Sequence, residues 1–127
     1  MKRLTLLVVT WPVCTNAATP DPDTVFAARI EHRAIYVHLS ADAVKCGLRT
    51  AEWGSKTFNA IYAGGIVDAA ELFPRDKAGV HIAYARSQLE AAISRGGKGR
   101  DPEVCDFLKR SGTIDALDEQ IRNEMGD

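Results

Sequence analysis

From Asp21 onward the apolar positions recur at helical spacing. Phe26, Ile30, Val37, Ala41 and Val44 follow one another at a period near 3.6, and a second strip, Ala28, Ile35 and Leu39, lies on the opposite side of the same stretch. A helix apolar on two sides is expected to be wrapped by its neighbours or to meet a second copy of the chain. Asp21-Pro22-Asp23 supplies a capping carboxylate, a proline at the first helical position and an acid at the positive end of the helix dipole. Ser40 and Asp42 are places where this helix can break, and Gly47 is its expected stop.

The same spacing predicts further helices. Thr50 can cap a second one, with Glu52 in its first turn and a stripe of Phe58, Ile61, Gly65, Ala69 and Leu72. Gly64-Gly65 lies inside that stripe. The pair predicts a continuous helix with a notch or kink for close helix contact, in preference to a turn between two short helices. Phe73-Pro74 ends the segment, because a residue before proline resists the α conformation. Asp76 is the expected cap of a third helix reaching about Arg95, with a stripe of Ile82, Ala85, Leu89, Ala92 and Ile93. Gly96-Gly97-Lys98-Gly99 breaks the pattern. Asp101-Pro102-Glu103 then opens a fourth helix carrying Val104, Cys105, Phe107 and Leu108, which Gly112 stops. Thr113 opens a last one with Ile114, Leu117, Ile121 and Met125. No run beyond Ala18 alternates as a strand does. The expected fold is all-α, a compact bundle of four to five helices with one disulfide, following a cleaved signal peptide.

Ahead of Asp21 the pattern is of another kind. Lys2 and Arg3 precede an apolar run of 11 residues, Leu4 to Cys14, and then the small and polar residues Thr15-Asn16-Ala17-Ala18. That order is the three-part layout of a secretory signal. The run falls short of the roughly 20 residues of a membrane span, so no stable span is expected. Cleavage is expected after Ala17, with Ala18 the alternative, which divides the chain into a signal peptide (1–17) and one helical domain (18–127). Trp11-Pro12-Val13 before Cys14 departs from the small-residue pattern of bacterial lipoproteins.

Composition narrows the function classes. Across 127 residues, 46% are hydrophobic and 26% charged, with 16 basic against 17 acidic side chains. A normal apolar share argues against disorder. Without residues 1–17 the chain keeps 14 basic and 17 acidic groups, a net charge of -3, which gives no pull toward nucleic acid or anionic membranes. Cleavage also leaves two of the three cysteines. Two cysteines in a small exported chain predict one bond, Cys46 to Cys105, closing a loop worth about 4 kcal/mol in the chain-entropy model. Neither the Cys-x-x-Cys of redox enzymes nor a four-ligand zinc spacing is present.

Candidate chemistry is sparse. His38 and Asp42 are four apart, as are His32 and Tyr36, and each pair is expected to touch on a helix surface. His81 begins no His-Glu-x-x-His pattern. Glu71, in the apolar setting Asp68-Ala69-Ala70-Glu71-Leu72-Phe73, has the surroundings of a raised-pKa acid but no second carboxylate placed by a motif. Arg95-Gly96-Gly97-Lys98-Gly99-Arg100 lacks the P-loop order, since Gly99 follows Lys98 where Ser or Thr is required. Trp53 is expected as an anchor at the start of its helix. The residues nominated for binding are Trp53, Arg95, Lys98 and Arg100. No catalytic residue, metal ligand or cofactor is nominated. The expected function is that of an exported helical protein, periplasmic or secreted, that acts by binding a protein or small molecule. A homodimer through the first helix is one form of that binding. The alternative is a small cell-envelope enzyme, such as a cell-wall hydrolase using Glu71 or a histidine.

Overall fold

The computed structural model describes residues 20–96 and 101–125. The expected leader with Cys14 and its cleavage points lies outside the described residues, as do Lys98 and Arg100. The described chain is all-α: α1 (Pro22–Lys45), α2 (Ala51–Leu72), α3 (Arg75–Arg95), α4 (Pro102–Ser111) and α5 (Thr113–Met125).

Most boundaries follow from local chemistry. The Asp21 carboxylate accepts from the backbone N–H groups of Asp23 (3.2 Å) and Thr24 (3.3 Å) and opens α1. Ser40 does not break the helix. Its hydroxyl donates back to the Val37 carbonyl at 2.8 Å, which satisfies a buried polar group without leaving the helix. Gly47 closes α1 at φ 75°, with Leu48 N–H bonded to Ala43 O at 2.9 Å and Gly47 N–H to Val44 O at 3.0 Å. That double closure satisfies carbonyls that a helix end leaves open. Thr50 Oγ1 accepts from Trp53 N–H at 3.1 Å and starts α2. α3 departs from expectation: it begins at Arg75 behind Pro74, and Asp76 sits inside the first turn instead of capping it. Proline fixes the entry dihedral there, and its carbonyl accepts from the Lys77 and Ala78 N–H groups at 2.9 and 3.0 Å. Asp101 caps α4 through Glu103 N–H at 2.9 Å, and Gly112 ends it at φ 73°.

α1, α2 and α3 pack against one another around Phe26, Ile30, Ala34, Val37, Ile61, Ala69, Ala85, Leu89 and Ala92. Burying each large side chain among these contributes about 1.5–3 kcal/mol. α4 and α5 close one end over a second cluster, Ala43, Leu108 and Ile114, with Leu39, Cys46, Leu48 and Trp53 packed against it. The Cys46–Cys105 disulfide ties the end of α1 to the start of α4 across a Cα separation of 5.4 Å.

Small residues set the distance between the long helices, and that moves the core off the expected stripes. α2 is continuous through Gly64-Gly65: a Cβ at Gly65 would stand 3.4 Å from Ile30 Cδ1, and Gly64 seats the Arg33 guanidinium. α3 buries Ala85, Leu89 and Ala92, while Ile82 is only half-buried and Ile93 is 45% exposed. One residue is about 100° of helix rotation, so Ile93 falls beside the buried line when Ala92 lies on it. α4 meets its neighbours on one side only; Leu108 is buried and Val104 and Phe107 remain exposed. On α1, Leu39 is covered by the α4–α5 end, but Ile35 is 54% exposed, so the second strip is not covered along its length.

Candidate functional site

An apolar groove of about 520 Å³ runs between α1, α2 and the end of α3. Val37, Ala41 and Val44 form its α1 wall, Phe58 stands on α2, and Ile93 borders it from α3. Two glycines set the width. A Cβ at Gly54 would stand 2.9 Å from Val44 Cγ2, and a Cβ at Gly96 would stand 2.6 Å from the His38 carbonyl oxygen. Ser55, Asn59 and Lys45 supply polar groups to the lining, and Lys45 is its one ionisable side chain among the described residues.

The titratable groups gather elsewhere. Arg33 Nε donates to Asp68 Oδ2 at 2.7 Å, and Arg29 Nη1 donates to Asp68 Oδ1 and Glu71 Oε1, each at 3.0 Å. Arg33 Nη1 also reaches Glu124 Oε1 at 3.3 Å. This network links α1, α2 and α5, with the Asp68 side chain 8% exposed. The neighbouring carboxylates hold Arg29 more firmly protonated than usual, through its bonds to Glu71 and then Asp68. A recess of about 510 Å³ beside it takes its charged lining from Arg29, Arg33, Asp68 and Glu124, which are bonded within this network.

The histidines are each engaged. His38 Nε2 lies 3.3 Å from Asp42 Oδ2. The Tyr36 hydroxyl donates to Gln120 Oε1 at 2.8 Å and meets His32 Nε2 at 2.9 Å, so the imidazole is the donor in that contact. His81 joins α1 and α3 to Phe73, the residue that follows α2. Its Nδ1 lies 3.1 Å from Lys77 O and its Nε2 2.9 Å from Asp23 Oδ1, and its ring stacks on Phe73 at 3.5 Å. Both ring nitrogens face acceptors, and only the protonated ring can donate to both at once. The bond to Asp23, then the one to Lys77, raises the His81 pKa.

Among the sequence candidates, Trp53 is half-buried against the α4–α5 end. Its indole N–H donates to Asp118 Oδ1 at 2.8 Å, and the Arg49 guanidinium lies over its ring at 5.6 Å. Arg95 is exposed at the end of α3 and borders a recess with Ile35 and His38, which Trp53 does not line. Glu71 is 60% exposed at its side chain and paired with Arg29. Cys46 and Cys105 are joined. Sequence reasoning missed the groove and the Arg33–Asp68 pair. The pair had a signal: Arg33 sits between Ile30 and Val37 at core spacing, and Asp68 stands among Gly65, Ala69 and Leu72. Opposite charges at core positions of two neighbouring helices point to a buried ion pair.

Among the described residues no three His, Cys, Asp or Glu side chains gather as metal ligands, and no helix is long and apolar enough to cross a membrane. No protein-family model, curated protein or solved structure matches the chain.

Proposed function

We propose that this chain is a small exported helical protein that acts by binding, in the bacterial periplasm or outside the cell. The observation that carries the binding role is the α1–α2–α3 groove, whose walls are Val37, Ala41, Val44, Phe58 and Ile93. Its volume of about 520 Å³ falls in the range of small-molecule sites, roughly 300–1,000 Å³. Export is supported by the Met1–Ala17 pattern and by the Cys46–Cys105 bond, a linkage that oxidising compartments sustain. The pairing of Glu71 with Arg29, and of each histidine with a neighbour, favours structural roles for the groups a hydrolase would use.

Thermal-shift screening of the oxidised protein against small apolar and amphipathic compounds tests the binding role. Stabilisation that disappears in Ile93→Glu supports it. Peptidoglycan hydrolysis that disappears in Glu71→Gln would establish the envelope enzyme instead. Intact-mass measurement on protein from its native host tests export, with Ala18 or Thr19 expected at the mature N-terminus.

A further inference from the structure

We propose that the α1–α2–α3 groove takes the single chain of an anionic amphiphile of the fatty-acid type, with its carboxylate at Lys45. This rests on the groove being the binding site and names its ligand class. The apolar walls exclude nucleotides and sugars, whose many polar groups would be desolvated without partners. Ile93, left 45% exposed, gives an unbranched chain apolar surface to cover on binding.

Charge selects the head group. Of the described side chains lining the groove, the one that carries charge is the cationic Lys45, in the last turn of α1. Ala51 brings the positive end of the α2 dipole to the groove and Val44, in the last turn of α1, the negative end of the other, so the two helix ends offset and the selection rests on Lys45. The nearby acid Glu52 does not line the groove; it lies 3.9 Å from Lys56 along the surface of α2. Ser55 and Asn59 add neutral hydrogen-bonding groups, and among the described residues no lining carboxylate opposes an anion.

Calorimetric titration of the oxidised protein with dodecanoate and with dodecyltrimethylammonium, both below their micellar concentrations, tests the assignment. Saturable one-to-one binding of dodecanoate is expected, about tenfold tighter than the cationic analogue. Lys45→Gln should weaken dodecanoate roughly three- to fivefold and leave the cation unaffected or tighter. Ile93→Glu should weaken dodecanoate by more than tenfold. Both positions are exposed, and circular dichroism checks that both variants keep their helical content. Equal affinity for the two head groups, unchanged in Lys45→Gln, would overturn the anionic class while leaving the groove as the binding site. No saturable binding of either amphiphile, or binding indifferent to Ile93→Glu, would overturn both.

Discussion

Arg33 and Asp68 meet across the α1–α2 contact at 2.7 Å, with the guanidinium seated over Gly64, where a Cβ would stand 2.6 Å from Arg33 Cζ. The side chains are 16% and 8% exposed, so without Asp68 the Arg33 guanidinium stays largely out of water with the longer 3.3 Å contact to Glu124 as its remaining ion pair. Removing one partner of such a pair costs about 3–5 kcal/mol, while replacing both by apolar groups of similar volume is often close to neutral. Asp68→Leu alone should therefore destabilise strongly, and Arg33→Met with Asp68→Leu should lose less than Asp68→Leu alone. Urea unfolding of the two variants measures this. A double variant that loses as much as Asp68→Leu, or more, would show that the pair is not coupled.

Two glycines of α3 and its end should respond to alanine with opposite signs. Gly79 has nothing within 4 Å of a built Cβ and lies inside an exposed helical turn, so Gly79→Ala should stabilise by about 1 kcal/mol through helix propensity. At Gly96 the added Cβ would meet the His38 carbonyl oxygen and Ala41 Cβ at 2.6 and 3.0 Å. Backbone cannot swing aside as a long side chain can, so Gly96→Ala should cost about 1–3 kcal/mol. Melting temperatures of the two variants, on either side of the parent, check both claims.

Residues with strong local preferences are legible in the sequence itself. Asp21, Thr50, Asp101, Gly47 and Gly112 each satisfy or release a helix end on their own, and all five act as their sequence context implies. What depends on the distance between helices is not legible there. Ile93 and Phe107 are large and apolar, yet the line of contact passes through Ala92 and Leu108. α1 touches α2, α3, α4 and α5, so Ser40 and Ala43 are buried beside Val37 and periodicity marks no single inner face. The groove is hidden from the sequence for the same reason. Val44 and Ile93 read as core residues from spacing, and only the packing of the three helices leaves them on its walls.

The disulfide should be the largest single covalent contribution to stability. Cys46 and Cys105 are 59 residues apart and join the end of α1 to α4, a helix that otherwise docks mainly through Leu108. Cys105→Ser should cost about 2–5 kcal/mol. The loss should concentrate at the α4–α5 end, where the second cluster is small. Hydrogen exchange should show amides of α4 opening first in the variant, while α1–α3 amides around Leu89 stay protected. Uniform loss of protection across all five helices would mean that the two clusters unfold as one unit.

His81 gives stability a direction in pH. Its imidazole lies between acceptors on α1 and α3, Asp23 Oδ1 at 2.9 Å and Lys77 O at 3.1 Å, with Phe73 stacked on its face and Phe26 at its edge. The charged ring makes both hydrogen bonds; the neutral ring must give up one. Folding therefore raises the pKa above the ordinary histidine value, through the bond to Asp23 first and the Lys77 carbonyl second. A group whose folded pKa is raised contributes its full stabilisation below the unfolded pKa, about 6.5, and loses it as pH rises through the folded value. The melting temperature should fall between about pH 6 and pH 8, by more than in a His81→Gln variant measured over the same range. His81→Gln keeps a side-chain amide N–H for Asp23 but does not titrate, so it separates the pH effect from the lost ring contact. Asp23→Asn should flatten the same profile from the other side, because the neutral amide no longer favours the imidazolium. A profile of equal slope in the parent and both variants would show that His81 does not carry the pH dependence.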